Sequence, residues 1–233
     1  MNAVVEDISY QVVRSRRRTA DIVVERDGRV VVRAPVQVST EKIAEIVRLK
    51  RLWIYRTLAE WRESNVKRFV REYRNGESFL YLGRSYRLSL ASDQSEPLLL
   101  KAGRFCLRRD LVNGDDNVGA KAAFRDFYLS RGRERLDDRV AYYAPKVGVL
   151  PVTVGVRDLG YRWASCSPTG RLAFHWKCLM APATIIDYIV VHELSHLHQL
   201  DHTDAFWNEV DKVMPDYRER KEWLRVHGVN LDL

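Results

Sequence analysis

The chain has 233 residues, 46% of them apolar and 30% charged, so it can bury a core as one large domain or two small ones. Its three cysteines are odd in number and show no CxxC spacing, and no apolar run approaches the roughly 20 residues of a membrane span, which excludes a disulfide framework and a spanning helix. The net charge of +8, with 17 Lys and Arg against 10 Asp and Glu in the first 75 residues, suits either an acidic partner or a solvated basic surface.

"MNAVVEDISY" lacks the basic-then-apolar order of a secretory signal, and with the free thiols this gives a reduced, cytoplasmic setting as the expectation. "YQVVRSRRRTADIVVERDGRVVVRAP" then alternates Val, Ile and Arg at period two, with Asp27-Gly28 as the tight turn of a β-ribbon. Ser39 is a candidate N-cap with Glu41 in the first turn. Ile43, Ile46, Val47, Ile54, Leu58 and Trp61 keep helical spacing to about residue 63. "SFLYLGRSYRLSL" and "PLLLKAGRFCLRR" predict two further strands, the first turning at Gly83. "NGDDN" (113–117) is a break, followed by a helix carrying Ala123, Phe124, Phe127, Leu136 and Val140 and ending near Pro145. The last third reads strand ("VTVGVRDLG"), turn, strand ("GRLAFHWKCLM"), and a helix from Pro182 or Ala183. A turn at Leu200 to His202 and a helix closed by Pro215 follow. No sequence repeat is visible.

The second-last helix runs into "VHELSHLHQLDH" (191–202), which holds four of the six histidines. His192 and His196 stand four apart, an advance of about 400° that projects both rings from one side. Two nitrogens so placed can reach one metal at about 2.0–2.1 Å. Glu193, directly after the first, completes H-E-x-x-H and is placed to hold a water and take its proton. A catalytic zinc takes three protein ligands, and the third is expected from His202, beyond the helix. The rival, His198, sits two residues after His196, a rotation of about 200° to the opposite face. Tyr188, His192 and His196 form one stripe of a helix whose Ile185, Ile189 and Leu194 indicate burial.

"RWASCSPTGRLAFHWKCLMAPATIIDYIVVHELSHLHQLDHTDAFW" resembles the YgjP-like predicted metal-dependent hydrolases, a zincin group related to the SprT-like and WLM proteases, and "RSRRRTADIVVERDGRVVVRAP", "LWI" and "FLYLGRSYRL" extend the likeness over nearly the whole chain. The resemblance implies one Zn²⁺ per chain on His192, His196 and His202, with Glu193 as general base. Ala164, His175 and Asp201 depart from the family's glycine, asparagine and asparagine. The expected fold is α+β: an N-terminal basic β-ribbon and helix module over residues 1–112, then a small zincin-like catalytic domain over 113–233 with short antiparallel strands and the HExxH helix.

The expected activity is a zinc-dependent metallopeptidase acting on protein or peptide. The alternatives are a nucleotide phosphoanhydride hydrolase at the same site, though no G-x-x-x-x-G-K-[ST] loop is present, and a protease recruited to nucleic acid. For the last, Arg14, Arg16, Arg17, Arg18, Arg48, Lys50, Arg51 and Arg56 are the candidate phosphate contacts, with Tyr10, Trp53, Tyr55 and Trp61 nearby for stacking. Tyr188 is a candidate oxyanion donor. Arg162 and Trp163 precede an expected edge strand where an extended substrate could pair. Asp187, Asp204 and Asp211 are candidates to orient a ligand histidine, and Cys166 with His175 lacks the third group a nucleophile needs.

Overall fold

The computed structural model describes residues 2–16, 19–25, 28–66, 71–114, 116–160 and 162–233, whose contacts divide into two compact units, Met1–Phe69 and Val70–Leu233. In the first, β1 (Asn2–Val5) and β2 (Ile8–Ser15) form one hairpin, and β3 (Asp21–Val24) and β4 (Val30–Pro35) another. β2 and β4 pair in parallel, giving the order β1-β2-β4-β3. Alternation along β2 sends Ile8, Tyr10 and Val12 into the core, so Tyr10 is no free stacking surface. Gly28 takes φ 87 in the expected turn, and Asp27 lies outside the described residues.

Ser39 caps α1 (Thr40–Leu49), its hydroxyl accepting from the Lys42 N–H at 3.2 Å. The single helix expected here is two, because Lys50 at φ −95, ψ 7 separates α1 from α2 (Arg51–Val66). Ile43, Val47 and Ile54 nonetheless bury together against Val32 and Ala34, as their spacing requires. The side chain of Trp61 lies outside the described residues.

In the second unit, β5 (Ser78–Tyr81), β6 (Arg84–Ala91), β7 (Leu98–Lys101) and β8 (Arg104–Arg108) form a sheet of order β5-β6-β8-β7. The two strands expected here are two hairpins. One turns at Leu82-Gly83, as anticipated, with φ 50 and 75. The other turns at Ala102-Gly103, φ 50 and 71, which the sequence hid because alanine costs about 1–2 kcal/mol in the left-handed region and is no turn signal.

α3 (Val118–Val147) follows and runs past Pro145 to a left-handed cap at Gly148, whose N–H donates to the Ala144 carbonyl at 2.9 Å. A third sheet holds β9 (Thr153–Arg157), β10 (Ala164–Cys166) and β11 (Arg171–His175) in the order β10-β11-β9. The strand expected to reach Met180 stops at His175, and Trp176–Met180 is a 3-10 turn. Then come α4 (Ala183–Ser195), α5 (Asp204–Val213) and α6 (Tyr217–His227), the last of them not anticipated.

Phe79, Leu88, Phe105 and Leu107 of the second sheet share one core with Phe124, Tyr128 and Leu136 of α3 and with Ile186, Val190 and Leu194 of α4. The Phe79 and Phe124 rings stack at 4.2 Å between centroids, and each such side chain contributes roughly 1.5–3 kcal/mol by burial. The expected division after residue 112 therefore differs from the observed boundary at 69/70: this sheet belongs with the helices that follow it. Its first turn is also tied to the start of α4. Leu82 and Gly83 donate N–H bonds to the carbonyls of Leu179 (2.7 Å) and Met180 (3.2 Å), and a Cβ on Gly83 would stand 2.8 Å from Pro182 Cα. The fold is mixed α+β, and no helix among the described residues is long and apolar enough to cross a membrane.

Candidate metal centre

α4 is apolar nearly all round, with Ile185, Ile186, Ile189, Val190, Val191 and Leu194 buried, so it sits inside the unit and carries its polar residues there with it. The helix ends at Ser195, whose hydroxyl donates back to the Val191 carbonyl at 2.9 Å, and His196 is its C-cap. A turn follows. It brings His202 back to the helix just ahead of the α5 N-cap, Thr203.

His192, His196 and His202 each offer a ring nitrogen within 4.8 Å of the other two, and the Nε2 atoms of His192 and His202 are 2.9 Å apart. Phe206, fully buried on α5, lies under all three imidazoles at 4.9, 4.5 and 4.8 Å between centroids. Trp207 stacks on His202 at 5.7 Å. Phe206 is thus the common floor of the three rings.

The protonation pattern suits metal ligands. His196 Nδ1 faces the Gln199 carbonyl at 3.1 Å, which only an N–H can do favourably, so its Nε2 carries the lone pair. Burial, then the neighbouring His196 and His202, push His192 down to about 3, and burial lowers His196 and His202 as well. Three neutral imidazoles result at neutral pH. Two of them 2.9 Å apart require a proton or a cation between their nitrogens. Bonds of about 2.0–2.1 Å to a tetrahedral ion would set ligand nitrogens about 3.3 Å apart, near the 2.9 Å of His192 and His202 and within the 4.8 Å that spans all three. The residues fit a divalent transition metal. One detail departs from the usual pattern: His192 Nδ1 is buried without a hydrogen-bond partner among the described residues.

Glu193 is 6% exposed, and no described residue hydrogen-bonds its carboxylate. Burial pushes it up to about 8, opposed by the charge of Arg162, and positive charge placed among the histidines would favour its carboxylate form further. Tyr188 is buried one turn before His192, its ring 5.9 Å from that imidazole, and burial keeps its phenol protonated. Arg162 is exposed. Trp163 is partly buried, and its carbonyl accepts from the His175 N–H at 2.7 Å and the Cys178 thiol at 3.2 Å. β10, just after them, is one of the two outer strands of its sheet.

Other candidates fall elsewhere. His198 Nε2 meets the Val147 carbonyl at 2.8 Å, so it stays out of the cluster, although the helix whose rotation was to exclude it has already ended. Asp187 is held by Arg139 at 2.7 and 3.0 Å and by the Tyr143 hydroxyl at 3.2 Å, and orients no histidine. Cys166 pairs with Leu172, three register positions from His175, and burial pushes its thiol up to about 11. His175 Nδ1 accepts from the Lys177 N–H, leaving Nε2–H toward Asp158 at 3.4 Å; burial holds the ring down at about 4, so the contact is a neutral ring against a carboxylate. Ala164 is extended, paired with Phe174, so no positive φ is asked of it.

Among the basic candidates, Arg14 donates to the Val36 carbonyl at 3.1 Å, Arg51 pairs with Glu6 at 2.6 Å, and Tyr55 hydrogen-bonds Asp7. Arg16, Arg48, Lys50, Arg56 and Trp53 are exposed, while Arg17 and Arg18 lie outside the described residues.

Three neutral imidazoles on and just beyond a helix that also carries a buried glutamate, without a hydrogen-bond partner among the described residues, suit a metal-dependent hydrolase. Residues 18–227 match the model of the YgjP-like metallopeptidase domain, and the chain belongs to that family of metal-dependent peptidases. Among solved structures, the chain is similar to the metallopeptidase zymogen abylysin of Pyrococcus abyssi, at 26% identity over 40% of this chain and 92% of that one, with a TM-score of 0.36. No curated protein matches the chain.

Proposed function

We propose that the protein is a zinc metallopeptidase in which His192, His196 and His202 hold one zinc ion and Glu193 moves the protons. A zinc ion supplies Lewis acidity there, able to lower a water's pKa from 15.7 to about 7 and to polarise a carbonyl. Glu193 accepts the proton of the attacking water, which adds to the scissile carbonyl carbon. The same carboxyl group then returns that proton to the amine as the C–N bond breaks. Tyr188, protonated and one turn from His192, donates to the oxyanion of the tetrahedral species. An extended peptide pairs along the free side of β10, past Arg162 and Trp163, whose neighbour Glu193 feels the Arg162 charge.

The observation that carries this reading is the Glu193 carboxylate, buried and without a hydrogen-bond partner among the described residues, directly after His192 of the three-histidine cluster. The test is metal content together with peptide hydrolysis in a set of variants. Wild type should hold about one zinc per chain. His202→Ala should lose it, and His198→Ala should keep it. Glu193→Gln should keep the metal and lose about 10²–10⁴ in rate. A Glu193→Gln variant hydrolysing peptides at the wild-type rate would overturn the mechanism.

A further inference from the structure

Beside the histidine cluster, Trp207, Tyr217, Arg218, Lys221, Glu222 and Arg225 line an open cavity of about 340 Å³. Trp207 belongs to both places, because its ring stacks on His202 at 5.7 Å and on Tyr217 at 5.2 Å with only 12° between planes. The cavity thus begins where the candidate ligands end. A volume at the low end of the roughly 300–1,000 Å³ of ligand sites suits one or two residues of a peptide.

Its charges are unbalanced. Arg225 is engaged by Glu222 at 2.6 Å, whereas Lys221 and Arg218 have no carboxylate partner among the described residues. Both are positioned on aromatic faces: Lys221 Nζ lies 4.0 Å from the Trp207 centroid and the Arg218 guanidinium 4.9 Å from that of Tyr217. A cation held over a ring keeps its remaining N–H donors free and loses little freedom on accepting a partner. The Lys221 charge also reaches His192 and His202.

We propose that this cavity is a substrate subsite that takes a peptide carboxylate, from an aspartate or glutamate side chain or from a chain terminus, between Lys221 and Arg218 next to the scissile bond. The inference rests on the peptidase reading and adds a preference for acidic peptides. The two cations, each held over an aromatic ring, supply the charge complementarity for a carboxylate. Aromatic rings beside cations also suit single-stranded nucleic acid. Here the cations cover the ring faces that a base would need, which favours the carboxylate.

The experiment measures binding separately from hydrolysis. Zinc-loaded Glu193→Gln protein is titrated with short labelled peptides that differ only in Glu against Gln, or in a terminal carboxylate against a terminal amide. The acidic member of at least one pair should bind about tenfold tighter, with the advantage shrinking as salt rises. The pair that responds identifies the source of the carboxylate. Lys221→Met and Arg218→Met should each reduce the preference while leaving zinc content unchanged, and Lys221→Glu should invert it toward lysine-containing peptides. Equal affinity within both pairs overturns the proposal, as does an oligonucleotide that binds tighter than the acidic peptides and displaces them. A carboxylate preference in a wild-type protein that hydrolyses no peptide would instead remove the peptidase reading and leave the subsite standing.

Discussion

The two four-stranded sheets have the same topology and different company. Each is a pair of antiparallel hairpins joined through a parallel centre, β2 with β4 in one and β6 with β8 in the other, in matching order. The first buries an aliphatic face of Val12, Val32 and Ala34 against Ile43, Val47 and Ile54, and its core holds no histidine or carboxylate among the described residues. The second presents Phe79 and Phe105 to Phe124 and joins a core that also contains His175, Glu193 and the histidine helix. A shared topology therefore says nothing about role. What decides it is the helix that covers the sheet, and the second is covered by α3, which also packs on α4 with its two candidate ligands.

The sharpest way to break that contrast is a cavity on each side. Phe124→Ala should cost about 3–5 kcal/mol and weaken zinc retention in competition with a chelator, because α3 and α4 share its core. Val32→Ala should cost less and leave zinc affinity unchanged. Equal losses of zinc in both would dissolve the distinction between the units.

Acid sharpens it next. His175, 2% exposed, is held at about 4 by burial, with Asp158 opposing, against an ordinary value of 6.5. The ring is neutral in folded and unfolded chains above pH 6.5. Between pH 6.5 and 4 only the unfolded chain takes up the proton, so stability falls as pH falls, by about 3 kcal/mol in all. Hydrogen exchange should show protection falling across this window in Val70–Leu233 and little change in the first unit, and His175→Asn should reduce the loss, the remainder belonging to His192, His196 and His202. An unaltered pH profile in His175→Asn would assign the effect elsewhere.

A smaller effect separates two turns of the second sheet. Gly83→Ala meets Pro182 at 2.8 Å as well as a strained φ, whereas at Gly103 nothing lies within 4 Å. Gly103→Ala should cost about 1–2 kcal/mol of strain alone. Gly83→Ala should cost more and loosen the start of α4, readable as a larger drop in Tm. Smallest is Ser39→Ala, about 1 kcal/mol in the first unit with zinc content unaffected.

The candidate site was legible in the sequence where its geometry is local. His192 and His196 are fixed by one helical turn, and His202 by a short turn directly after it. The N-cap at Ser39 and the hairpin at Gly83 were legible for the same reason: the signal and the structure occupy the same few residues. What was not legible depends on partners far along the chain. The parallel pairing of β2 with β4 and of β6 with β8, the capture of Asp187 by Arg139, and the contact of Phe206 with three rings leave no local pattern. α6 was missed although Tyr217, Lys221 and Leu224 recur at helical spacing after Pro215, and with it went Lys221 and the cavity wall. The matching order of the two sheets escaped too, since it lies in hydrogen bonding and not in repeated residues.

The ring of Phe206 has a consequence for how the protein handles its metal. Three imidazoles rest on one buried phenyl, so their rotamers are already restricted, and each side chain that needs no ordering avoids about 0.5–1.5 kcal/mol on binding. Leu194, Phe206 and Val210 belong to the large apolar core of the second unit, whose burial contributes folding energy of its own. With a core of that size the metal need not be the source of the fold, unlike in zinc fingers, where the metal is the fold. On the proposed zinc reading, such a chain can be stripped and refilled as an intact vessel, and its activity should track the free zinc around it rather than the history of its folding.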